Sequence, residues 1–123
     1  MKATVSMLLL AAMTAALHVA TARETTVAKT TCTVTEARAK PATSPCTATQ
    51  TGGAGVSILT YTVGSRSYDY RQDDAGESFD EETVQTYIRD RKFRISDDDR
   101  KKAWFCYKTS KVELCSKQPS PPR

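Results

Sequence analysis

Four cysteines, Cys32, Cys46, Cys106 and Cys115, set the terms on which this 123-residue chain folds. An even count in a short exported chain reads as two disulfides. Zinc is the competing use of cysteine, but its ligand pairs usually sit two to four residues apart. Here thirteen residues separate Cys32 from Cys46 and eight separate Cys106 from Cys115, and the only histidine is His18. Cross-links matter because the apolar interior is thin. Its candidates are Val56, Ile58, Leu59, Val63, Phe79, Val84, Tyr87, Ile88, Phe93, Ile95, Trp104, Phe105, Val112 and Leu114. Each short disulfide loop is worth about 3 kcal/mol by loop-closure entropy, set against a total of about 5–15 kcal/mol for a domain.

Sequence alone leaves three connectivities open. Strand geometry favours one. Trp104–Lys108 and Val112–Cys115 read as two strands about a turn at Ser110-Lys111. That register sets Thr109 opposite Val112 and Cys106 opposite Cys115, a non-hydrogen-bonded pair in which side chains approach closely. The expected bridges are therefore Cys106–Cys115 and Cys32–Cys46.

Disulfides require an oxidising compartment, and residues 1–22 read as the means of reaching one. Lys2 gives a positive start, Val5–Ala16 is apolar or small, and Ala20-Thr21-Ala22 offers a small-x-small cleavage site. That order describes a secretory signal peptide, and the apolar run is shorter than the roughly 20 residues of a membrane span. The expected location is extracellular, or periplasmic in a bacterium. Removing the leader takes away His18 and Lys2, leaving seventeen Lys and Arg against fourteen Asp and Glu. No asparagine is present, which excludes N-linked glycosylation.

The expected organisation is a flexible leader at 23–29, one disulfide-stabilised domain at 30–117 and a proline-rich tail at 118–123. Thr30–Thr35 reads as a strand through Cys32, and Val56–Val63 as a second. Gly64-Ser-Arg66 turns the chain, and Ser67–Arg71 runs back with Tyr68 and Tyr70 on one face and Asp69 and Arg71 on the other. Ser78-Phe-Asp-Glu81 fits a capping box, and Val84, Tyr87, Ile88 and Arg91 recur at helical spacing, so a short helix is expected over Phe79–Arg89. A single helical turn is expected after Ser96-Asp-Asp-Asp99. The fold class is α+β, mainly β: a small antiparallel sheet with one short helix.

Chemistry is bounded mostly by exclusion. Without an imidazole, hydroxyl–histidine and thiol–histidine nucleophiles are unavailable. Gly52, Gly53 and Gly55 lack the Lys-Ser/Thr of a phosphate loop. Asp97–Asp99 lack the alternation and central glycine of a helix–loop–helix calcium site. The six acids between Asp73 and Glu82 leave a carboxylate-based hydrolase as one alternative function. No catalytic residue, cofactor or metal centre is indicated. The basic stretch Arg89, Arg91, Lys92, Arg94, Arg100, Lys101 and Lys102, interleaved with Phe93 and Trp104, suits a polyanion such as nucleic acid. A solvated charged face over inward-pointing aromatics accounts for the same pattern. Tyr68, Tyr70 and these seven bases are the candidate binding residues, since Tyr and Arg dominate binding hot spots.

Leader, length and cysteine content are similar to those of the small secreted effector proteins that pathogens and symbionts direct at a host. Thr62-Val-Gly-Ser-Arg-Ser-Tyr68, followed by Tyr70, resembles the strand that precedes a catalytic histidine in the guanyl-specific ribonucleases of fungi. Asp69 and Tyr70 stand where that family's histidine follows. The resemblance implies a compact α+β fold without activity that retains RNA binding. The leading expectation is a secreted, non-catalytic binding protein with a protein partner, host-directed in the effector reading.

Overall fold

The computed structural model describes residues 23–118, with side chains from Ala28 onward. The signal peptide expected at 1–22 and most of the tail expected at 118–123 lie outside the described residues. Ten strands form one antiparallel sheet: β1 (Arg23–Glu36), β2 (Ala42–Gly53), β3 (Val56–Val63), β4 (Arg66–Asp73), β5 (Gly76–Phe79), β6 (Glu82–Thr83), β7 (Gln85–Arg89), β8 (Ile95–Ser96), β9 (Trp104–Lys108) and β10 (Val112–Lys117). Their order across the sheet is β6-β5-β4-β3-β2-β1-β10-β9-β7-β8, and the sheet curls into a half-barrel. Residues 23–29, expected as a leader, are the first part of β1 and pair with β2.

The α+β expectation is corrected to all-β. The segment expected as a helix, Phe79–Arg89, is three strand pieces. Phe79 ends β5, a two-residue turn at Asp80-Glu81 returns the chain to Glu82, and Gln85–Arg89 is β7 against β9. Asp80 and Glu81 both carry positive φ, 48° and 68°, the conformation that primed hairpin turns demand. A single-helix reading of eleven residues has little stability of its own. Thr83, Val84, Thr86 and Ile88 are β-branched, and the free edge of β9 offers them a ladder. The expected single turn after Ser96 is present as a 3-10 turn over Asp99–Lys101, capped by Asp98, whose carboxylate accepts the Arg100 N–H.

Register divides the sheet into two faces. The inner face carries Cys32 and Val34 of β1, Cys46 and Ala48 of β2, Leu59, Tyr61 and Val63 of β3, Tyr68 and Tyr70 of β4, Phe79, Phe105, Tyr107, Val112 and Leu114. Tyr107 is the hub of this interior. Its ring lies 4.8–5.4 Å, centroid to centroid, from those of Tyr61, Tyr70, Phe79 and Phe105. Its hydroxyl meets that of Tyr61 at 2.9 Å. Tyr70 and Phe79 come from strands far from β9 in the sheet order, so these contacts close the curl.

Both expected disulfides are present, Cys32–Cys46 and Cys106–Cys115. Cys106 and Cys115 are directly opposite, as the sequence register requires. The turn is built without glycine: the Thr109 hydroxyl accepts the N–H groups of both Lys111 and Val112. Cys32–Cys46 joins diagonal positions of β1 and β2 on the inner face. Cys106–Cys115 shares the outer face with Thr33 and Tyr87.

The correction at Asp80-Glu81 makes a prediction of opposite sign to the helical reading. Glu81→Gly relieves a positive-φ residue and should stabilise the protein by about 0.5–1 kcal/mol in urea denaturation. In a helix the same change would destabilise by up to about 1 kcal/mol.

Candidate interaction surface

The candidate surface starts from β7, whose alternation sends Ile88 inward and Tyr87 and Arg89 outward. Cross-strand pairing sets Tyr87 beside Cys106 and Arg89 beside Trp104. Glu113, on β10, shares that outer face and is 9% exposed. The Tyr87 hydroxyl and the Arg89 guanidinium both donate to Glu113 Oε2, the latter at 2.9 Å. Another Arg89 nitrogen donates to the Phe93 carbonyl at 2.7 Å. The guanidinium lies 4.5 Å from the Phe93 ring centroid, and Phe93 meets Trp104 edge-on at 5.5 Å. Arg89 Nε is buried without a hydrogen-bond partner. Burial and the bond to Glu113 push the Tyr87 phenol up to about 12. Burial opposes the Arg89 charge, but Glu113 more than offsets it, so the Arg89 pKa rises.

This arrangement is a satellite core on the outer face, packed over the Cys106–Cys115 bridge. It consumes one of the seven candidate bases and both interleaved aromatics. Two more bases are held by acids: Arg94 pairs with Asp90 at 3.3 Å and Arg100 with Asp98 at 3.1 Å. Asp90 also accepts the N–H groups of Arg94 and Lys92, and these bonds hold its carboxyl below the usual carboxylate range. The Asp90–Arg94 turn is thus fixed by one side chain. Arg91, Lys92, Lys101 and Lys102 stand exposed around it.

Ile95 sits in this basic surface at 64% exposure, a large apolar side chain in water. Sequence reasoning placed it in the core. With β8 only two residues long at the sheet edge, nothing described covers it. Ile95, Arg94, Asp97, Lys101, Asp90 and Tyr87 line one shallow groove.

The two candidate tyrosines lie elsewhere. Tyr68 is inside the curl at 4% exposure, its hydroxyl donating to Glu36. Tyr70 packs against Tyr107 and donates to Glu77, and burial with that bond pushes its phenol up to about 12. The structure therefore brings all seven bases to one end of the sheet, six of them exposed, and keeps the tyrosines apart from them. Sequence reasoning missed Glu113 as the organiser of Arg89. The available signal was its place two residues before Cys115, which puts a carboxylate on the same strand face as the bridge.

Among the described residues, Cys106, Cys115 and Glu113 group within metal-ligand distance. The bridged sulfurs and the Arg89-bound carboxylate leave that grouping no free ligand while the disulfide is intact. No helix among the described residues is long and apolar enough to cross a membrane.

No known protein family, curated protein or solved structure matches this chain.

Two outcomes follow from the Glu113 cluster. Glu113→Ala leaves a mostly buried guanidinium without its anion and should cost about 3 kcal/mol in urea denaturation. Glu113→Leu with Arg89→Met should recover most of that loss. The raised Tyr87 pKa means the folded state holds the phenolic proton more tightly than the unfolded chain. Its contribution is complete below about pH 10 and is lost as pH rises towards about 12. Tyr87→Phe should flatten part of the alkaline limb of a stability–pH curve, with the remainder belonging to Tyr68, Tyr70 and Tyr107, whose phenols are also raised.

Proposed function

We propose that the protein is exported and acts as a non-catalytic binding protein, engaging an acidic protein surface through the β7–β8 end of its sheet. The observation that carries this reading is Ile95. A large aliphatic side chain held in water, lined by Arg94 and Lys101 as well as Asp90 and Asp97 within a stretch of net positive charge, is the composition of a contact site, with an apolar centre and a polar, charged rim. The turn beneath it is pre-ordered by Asp90, so binding costs little loop entropy. Two disulfides fit an oxidising destination, consistent with the leader-like residues 1–22. In the effector reading the acidic partner is a host protein.

An RNA-binding reading, including the ribonuclease-like one, has less support on this surface. Phe93 meets Trp104 edge-on and carries the Arg89 guanidinium over its ring, which commits both rings to the satellite core rather than to stacking on bases. A hydrolase reading rests on the acids of 73–82. Of these Asp73 is paired with Arg71, and Glu82 lies beside Lys111.

Affinity capture with the oxidised protein at low salt tests the reading. A specific protein should be retained by the natural sequence and released as salt rises. It should be lost with Ile95→Asp and with Arg91→Glu/Lys92→Glu, while all variants keep the parent's denaturation midpoint. Retention unchanged by these substitutions, or capture of RNA with the same salt and mutational profile, would overturn it.

A further inference from the structure

Open strand edges are where sheets recruit further strands, and this sheet treats its edges unequally. β6 and β8, at its two ends, are two residues long. β2 is unpaired on its β3 side over Ala42–Cys46, and Pro45 removes an N–H there. β1 differs. It pairs with β2 along nearly its whole length but with β10 only over Cys32–Glu36. β10 ends at Lys117, opposite Thr31; no described strand lies beside Arg23–Lys29, and no proline guards it.

The register shows which main-chain groups face that open side. The Thr109 N–H to Val112 carbonyl bond, 2.9 Å, makes Cys106–Cys115 a non-hydrogen-bonded pair by alternation. Cys115 therefore turns its own N–H and C=O towards Thr33 of β1. Odd-numbered residues of β1 direct theirs away from β2, as the Ala37 N–H to Lys111 carbonyl bond of 3.0 Å confirms. Val27 and Lys29 thus point donors and acceptors at the open side. A bulge between Glu24 and Thr26 shifts the alternation by one, so Glu24, opposite Thr51, takes a register position on the same edge as Lys29, opposite Thr47.

We propose that two copies of this chain pair edge to edge through β1, antiparallel, about a two-fold axis at Val27. This surface is separate from the one assigned to the partner above. The argument for a second copy is charge complementarity within the strand itself. A two-fold axis at Val27 sets Val27 opposite Val27 of the second copy, and Glu24 of each opposite Lys29 of the other. An axis at Lys29 would set like charges directly opposite, which is destabilising. The proline-rich tail is a poor alternative occupant, because three of its last five residues have no N–H to contribute. Pairing at Val27 joins two curled sheets into one continuous sheet, and an isologous contact of this kind closes at two copies.

The test is sedimentation of the oxidised full chain, expressed with its own leader, across a concentration series. The expected result is a reversible monomer–dimer equilibrium. Val27→Pro removes an N–H that no described residue accepts. It should give a monomer at every concentration with an unchanged denaturation midpoint. Lys29→Glu should weaken the dimer by about tenfold or more, and Glu24→Lys with Lys29→Glu should restore it. A protein that stays monomeric up to about 1 mM, or a dimer indifferent to both Val27→Pro and the charge reversal, overturns the proposal, whether or not another strand takes that edge.

Discussion

One phenol ring closes this sheet. Tyr107 enters from β9 and touches rings delivered by β3, β4 and β5, three strands that lie well away from it in the sheet order. Without those contacts the inner face of a single sheet would stand open to water, since no second sheet or helix among the described residues covers it. Aromatic side chains each bury a large area. Few are needed, which is how a chain poor in aliphatic residues still encloses an interior. The Tyr107 hydroxyl is satisfied there by Tyr61, so the polar end of the ring is not left unpaired in the core.

The disulfides secure what that ring closes, and they do so from opposite sides. Cys32–Cys46 ties β1 to β2 within the interior, and Cys106–Cys115 ties β9 to β10 on the outside. β1 and β10 are neighbours, so the two bridges brace four consecutive strands. The outer bridge then requires its own cover, and Tyr87, Arg89, Glu113, Phe93 and Trp104 assemble around it. The basic Asp90–Arg94 turn grows directly from that satellite core. Covalent constraint, outer-face packing and the proposed contact surface are successive layers of one structure.

How far the sequence anticipates this depends on whether a signal is local. The Cys106–Cys115 pairing follows from a two-residue turn and strand parity, both confined to ten residues, and it is correct. Tyr68 and Tyr70 share a face for the same reason. The error at Phe79–Arg89 has a non-local cause: the capping-box pattern is real, but the segment meets the edge of β9, and the Asp80-Glu81 turn adopts a positive φ that Asp tolerates but Glu does not advertise. Ile95 alternates like a core residue, and only the shortness of β8 at the sheet edge leaves it in water. Glu113 and Arg89 are twenty-four residues apart, and no pattern in one strand reveals the other as its partner.

The stapled interior and the contact surface proposed on it both presuppose that the sheet curls about Tyr107 in solution. Nuclear Overhauser contacts from the Tyr107 ring of the oxidised protein test this most directly. The account predicts cross-peaks to the rings of Tyr61, Tyr70 and Phe79 together. A Tyr107 ring that contacts only its strand neighbours, with Phe79 in a helical segment, would contradict it.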